Sequence, residues 1–170
     1  YQNSYGDSHP HIATFYENLA SRYDDLGDYE KGLENKESAL SVRLNLFGSE
    51  DPSIITSYKK VGISYDLLKN FDKAVEAKNK ALELSEKAFG ENHIQTASIY
   101  GDLGVTFAKS QRYEEAIQSF NRALGIQLKI TGEKNITIAI IYDHLSSVYG
   151  EIGAYHKSIE YNKETLDVLS

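Results

Sequence analysis

The sequence returns to the same pattern every 42 residues without a gap. Gly6, Gly48, Gly90 and Gly132 share one register position, and Tyr16, Tyr58, Tyr100 and Tyr142 share another. Leu19, Val61, Leu103 and Leu145 follow, then the small residues Ala20, Gly62, Gly104 and Ser146, then Tyr23, Tyr65, Phe107 and Tyr149. Tyr29, Phe71, Tyr113 and Tyr155, and later Leu40, Leu82, Leu124 and Leu166, complete the framework. Self-similarity at a fixed period of this length marks an array of stacked units, because one unit cannot bury its apolar face alone and takes its core from neighbours. The repeats span 6–47, 48–89, 90–131 and 132–170. Residues 1–5 read as the tail of a preceding repeat, since Tyr5 falls in the register of Phe47 and Phe89. The expectation is one array over 1–170, cut from a longer protein.

Within a repeat, Ile12, Tyr16, Leu19, Tyr23 and Leu26 recur at helical spacing along one face. A break at Leu26-Gly27-Asp28 precedes a second helix from Tyr29 to about Phe47, with Leu33, Lys36, Leu40 and Phe47 near one stripe and Ala39 at a close crossing. The small residues at Ala20, Gly62, Gly104 and Ser146, and at Gly32, Ala74, Ala116 and Ser158, let the two helices of a pair approach closely. The joint Phe47-Gly48-Ser49-Glu50-Asp51-Pro52 then ends one pair and starts the next. Gly48 is expected to be a left-handed terminator, Asp51 an N-cap and Pro52 the first helical residue. His9-Pro10, His93-Ile94 and Asn135-Ile136 take the same role.

These positions, Tyr16-x2-Leu19-Ala20-x2-Tyr23, Gly27, Tyr29 and Ala39-Leu40, resemble the tetratricopeptide repeat. The usual period there is about 34 residues, so the second helix here is about two turns longer. Tyr-Glu-Asn-Leu-Ala at 16–20, Asn-Arg-Ala-Leu-Gly-Ile at 121–126 and the Gly-x-x-His-Pro joint at 6–10 resemble the 42-residue kinesin light chain type, also found in nephrocystin-3-like proteins and large multidomain proteins. The resemblance implies an all-α fold: a right-handed superhelical solenoid of four antiparallel helix pairs. Two departures stand out. A large aromatic often stands midway along the second helix, and here that column is Lys36, Lys78, Phe120 and Asn162. The Asn of the Asn-Leu-Ala motif survives only at Asn18, with Lys60, Asp102 and His144 in its place.

In such a superhelix the first helices line a concave groove. The candidate binding positions off the apolar stripe are Glu17, Asn18 and Ser21; Lys59, Lys60 and Ile63; Asp102 and Val105; and Asp143, His144 and Ser147. Thr14, Thr56, Ser98 and Ile140 form a further exposed column. Framework positions barely change between repeats while these vary in size, charge and polarity, which is what a surface reading a partner requires. Ile63 and Val105 supply an apolar floor for one hydrophobic anchor. Glu17 and Ser21 stand where a carboxylate clamp for acidic C-terminal tails needs Lys and Asn, which argues against that ligand.

Composition narrows the remaining classes. There is no cysteine, so disulfides, thiolate metal sites and cysteine nucleophiles are excluded. The absence is compatible with a reducing compartment, and the cytoplasm is the expected location. A net charge of −7 disfavours nucleic acid, which is bound through clustered Lys and Arg, and no segment has the apolar length of a membrane span. Repeats 6–47 and 132–170 are acidic and the middle two balanced, which weakly favours basic partners. His9 and His11 lie two repeats from His93, too far to share a metal, and Tyr-Gly-Asp-Leu-Gly at 100–104 lacks the strand and third glycine of a dinucleotide loop. No catalytic constellation, cofactor or metal is expected. The reading is a protein-interaction scaffold holding a peptide or helical segment of a partner in the groove. The alternative is a regulatory or spacer segment of a larger enzyme, such as an ATPase or protease, contacting its own chain. End-to-end self-association through the terminal helices is a further possibility.

Overall fold

Each period folds as two helices because its two breaks are chemically specified. In the computed structural model, which describes residues 10–170, these are α1 (Pro10–Asp25), α2 (Tyr29–Phe47), α3 (Pro52–Leu67), α4 (Phe71–Phe89), α5 (Ile94–Lys109), α6 (Tyr113–Thr131), α7 (Ile136–Glu151) and α8 (Tyr155–Leu169). The described residues contain no strand, and the class is an all-α repeat solenoid. The readings of Gly6, Tyr5 and His9 lie outside the described residues.

The joints behave as their residues dictate. Asp51 accepts a hydrogen bond from Ser53 N at 2.8 Å, His93 Nδ1 from Gln95 N at 3.2 Å, and Asn135 from Thr137 N at 2.8 Å. Each satisfies a backbone donor that the first helical turn leaves free. The terminator differs from expectation in one angle. Gly48 has φ 80° and ψ 173°, and Gly132 has φ 73° and ψ −172°. Positive φ with an extended ψ is not the left-handed helical region but one open essentially to glycine alone. The chain must leave the helix and run extended into the cap, so the demand for glycine is stricter than a left-handed turn would impose. The shorter break within each pair is more permissive: Gly27, Lys69, Gln111 and Gly153 share its register, all with positive φ.

The fold comprises two compact units, Tyr1–Leu84 and Ser85–Ser170, with the boundary inside α4. In the first, α1 packs on α2 and α2 on α3, with Leu40, Ile54, Val61 and Ala77 at the centre of the core. In the second, α5 packs on α6, α6 on α7 and α7 on α8, around Ala116, Phe120, Ala123, Ile141, Leu145 and Val148. Ala20 and Ala39 are fully buried at the crossing of the first pair. Leu166 departs from its column: Leu40 is buried, whereas Leu166 is 67% exposed.

The departure midway along the second helix is resolved by the core. Lys78 is 2% exposed and its ammonium lies 2.5 Å from Asp66, itself 5% exposed. Lys36 donates to Asp24 at 2.5 Å and to Ser64 at 2.6 Å. Where the column holds Phe120, the register of Asp24 and Asp66 holds Ala108. A buried cation requires a carboxylate and an aromatic does not, so the two positions change together. Glycine opposite makes room for either: a Cβ on Gly62 would stand 2.8 Å from Lys78 Cγ, and one on Gly104 2.6 Å from Phe120 Cε1.

Candidate functional site

On the first unit, the exposed columns meet as a charge network. Glu17, on α1, accepts from both terminal nitrogens of Arg43, at 2.6 and 3.0 Å. Lys60, on α3, approaches the same carboxylate at 2.9 Å. Arg43 also donates to Ser57 at 2.9 Å, which ties α2 to α3. The Arg43 hydrogen bonds hold the Glu17 carboxyl at about 2, burial opposing them and Lys60 assisting. Two of the predicted site residues, Glu17 and Lys60, are therefore paired, and with Arg43 the cluster carries one net positive charge. Asn18, Ser21 and Ile63 are exposed and Lys59 is half-buried. Arg43 was not anticipated; its register holds Ser85, Gln127 and Leu169 in the other repeats, which hides a functional pattern.

The second unit contains a cavity of about 360 Å³. Ser98, Gly101, Asp102 and Val105 form one wall on α5, at spacings of three, four and seven residues that place them on one helix face. Thr137, Ile140, Ile141 and His144 form the other wall on α7, and Phe120 and Gln127 of α6 make the floor. The structure thus gathers Asp102, Val105 and His144 from the predicted set. Asp143 and Ser147 are exposed on α7 outside the lining, and Ser98 and Ile140 join from the fourth variable column.

His144 stacks on Phe120, with ring centroids 5.1 Å apart and planes 14° from parallel. It is half-buried. Phe120 reaches this position because Gly104 leaves its flank open. Sequence reasoning noted both residues and missed their combination: a large aromatic opposite a glycine in one repeat was the available signal. Gly101 opens the mouth, since nothing lies within 4 Å of where its Cβ would stand. Glu17, Lys59 and Asp143 occupy that register elsewhere. No Lys or Arg lines the cavity, so its chemistry is apolar with an acidic edge.

Among the described residues, no group of three or more His, Asp or Glu side chains is placed to hold a metal ion. No helix among them is long and apolar enough to cross a membrane.

Comparison with known proteins agrees with this architecture. The sequence pattern described as the tetratricopeptide repeat matches residues 11–87, 68–129 and 108–170. The crystal structure of BtubC (BKLC) from P. vanneervenii is similar, with a TM-score of 0.85 and 23% identity, covering 97% of this chain and 66% of that one. This chain therefore spans just under two thirds of that protein's length. A putative kinesin light chain of nearly identical repeats from P. anserina has a TM-score of 0.80 and 19% identity, covering 94% of this chain and 76% of that one. MamA follows at a TM-score of 0.66 and 16% identity, covering 94% and 79%. At these identities the likeness shows the fold alone. No curated protein matches by sequence.

Proposed function

The chain belongs to the tetratricopeptide repeat family, whose arrays generally serve as protein-interaction scaffolds, and from that premise we propose that it holds a peptide or helical segment of a partner against its first helices. The observation that carries the reading is the α5–α7 cavity. It has Val105, Ile140 and Ile141 in its walls, an aromatic floor and an open mouth at Gly101, and the predicted Asp102, Val105 and His144 meet there with Ser98 and Ile140. One apolar side chain of the partner enters it, as anchors at protein interfaces do. The exposed carboxylate of Asp143 beside it, and the acidic balance of repeat 132–170, favour a basic residue next to that anchor. Glu17, Arg43 and Lys60 tie α1, α2 and α3 together and leave one net positive charge.

The test is a peptide-display selection on the whole chain, followed by titration of the recovered peptides against Gly101→Leu. Glu17, Lys59 and Asp143 stand at this register in the other repeats and nothing lies within 4 Å of a Cβ here, so the variant folds. Its side chain closes the mouth, and affinity should fall at least tenfold. Peptides that bind the variant as tightly as the original would overturn the assignment. Self-association is favoured by a separate observation, the exposure of Tyr155, Ile159, Leu166 and Leu169 on α8. Concentration-dependent mass by ultracentrifugation, lost in Ile159→Lys with Leu166→Glu, checks it; an unvarying mass in the original chain excludes it.

A further inference from the structure

The first unit carries a hollow of about 300 Å³ on the opposite side of α3 from Lys59, Lys60 and Ile63. Helical geometry separates the two faces: at about 100° per residue, Tyr58, Val61 and Tyr65 point roughly 180° away from those three. Leu40, Val61 and Ala77 form the floor, the rings of Tyr58 and Tyr65 form walls, and Lys73, Glu76 and Lys80 stand exposed at the rim.

The chain contains its own comparison for this hollow. In the last repeat Tyr142 and Tyr149 take the register of Tyr58 and Tyr65, Lys157 that of Lys73, and Tyr161 that of Ala77. There the space between the two rings is filled. Tyr161 stacks on Tyr149 with centroids 5.5 Å apart and planes 10° from parallel, and lies 5.8 Å from Tyr142. The lysine contact is shared: Lys157 sits over Tyr149 at 5.0 Å, as Lys73 sits over Tyr65 at 5.5 Å. Glu37, Val61 and Lys80 also give way to Asn121, Leu145 and Glu164, but the change that fills the space is Ala77 to Tyr161. Where the last repeat supplies an aromatic ring from its own helix, the second repeat supplies a methyl and leaves the ring's place open.

We propose that the hollow between α2, α3 and α4 is a receptor for a tyrosine side chain carried by a partner protein. Between Tyr58 and Tyr65 a ring finds the stacked surroundings that Tyr161 finds between Tyr142 and Tyr149. Its hydroxyl emerges among Lys73, Glu76 and Lys80, which offer both donors and acceptors, and a phenol uses both. The Tyr65 hydroxyl already donates to Glu37 at 2.6 Å, which fixes that wall in place. The site is independent of the α5–α7 cavity and of any ligand held there.

The experiment is NMR of the whole chain with labelled alanine methyls, titrated with an acetylated and amidated pentapeptide of tyrosine flanked by alanines. The expected result is a saturable ring-current shift of the Ala77 methyl. The peptide with alanine in place of tyrosine should bind at least tenfold more weakly. Ala77→Tyr installs the ring that the fold accommodates at 161 and removes the reporter methyl, so its effect is read on the peptide's own tyrosine ring resonances, whose saturable broadening by the original chain should be lost. An Ala77 methyl that does not move in the original chain, or that moves equally with the all-alanine peptide, overturns the proposal. Should Ala77→Tyr fail to fold, Tyr161→Ala gives the same discrimination. It opens the matching place, so the tyrosine peptide should then also shift the Tyr142 and Tyr149 rings; no shift there overturns the equivalence. Gly101→Leu should leave the response unchanged.

Discussion

Consider replacing Lys78 and Asp66, singly and together, by the residues that hold their register one repeat later. Phe120 and Ala108 stand there. Both charges lie almost entirely out of water, at 2% and 5% exposure, and 2.5 Å apart. Lys78→Phe alone leaves the Asp66 carboxylate buried without its cation, and Asp66→Ala alone leaves the ammonium without its anion. Breaking a buried pair from either side costs about 3–5 kcal/mol. Were the two losses independent, the double variant would lose roughly 6–10 kcal/mol. The structure argues for the opposite outcome. The double variant removes both buried charges and installs an aromatic beside Gly62, where the missing Cβ already admits a large side chain as Gly104 admits Phe120. Replacement of a buried pair by a packed apolar group is neutral or stabilising by about 1–4 kcal/mol, the poorer helix propensity of phenylalanine at 78 being offset by the better one of alanine at 66. Urea unfolding followed by far-UV circular dichroism measures all four stabilities, and amide exchange in α3 and α4 localises the change. A double variant less stable than the original by about 3 kcal/mol or more would refute the reasoning, which rests on the ion pair being offset by its own desolvation.

Other expectations follow from single sites. The Glu17 carboxyl is held down to about 2 from 4.5, so its contribution is complete above pH 4.5 and is lost as the pH falls toward about 2. Glu17→Gln should therefore destabilise the chain at neutral pH by an amount that shrinks through that window; a difference constant across the acid limb of a urea titration would contradict it. Lys69 and Gln111 hold left-handed angles, φ 58° and 61°. Glycine relieves about 1–2 kcal/mol there and gives back about 0.4–1 kcal/mol through the freer unfolded chain. Each should raise the melting temperature slightly, and a fall in calorimetry would count against the strain. Gly48→Ala should cost about 1–3 kcal/mol because φ 80° with ψ 173° is closed to alanine. Gly101→Ala, in mid-helix with open space around it, should gain about 0.5–1 kcal/mol; equal signs for the two in urea unfolding would refute the distinction.

Much of this was legible in the letters. The period of 42, the helix pairs, the caps Asp51, His93 and Asn135, and the small residues at the crossings are consequences of local geometry repeated four times. A helix reveals its inward face by spacing alone. Tertiary packing decided which side chains meet across helices. Lys36 and Lys78 read as polar interruptions and prove to be core, because Asp24 and Asp66 reach them. Glu17 reads as a ligand contact and is occupied by Arg43 and Lys60. Phe120 reads as framework and floors a cavity beneath His144. Register along one helix is fixed by its own hydrogen-bond ladder, whereas the depth to which a side chain penetrates depends on what its neighbours lack: a Cβ at Gly104, or a ring at Ala77. Such absences carry no periodicity, so they become visible only when the helices are in place.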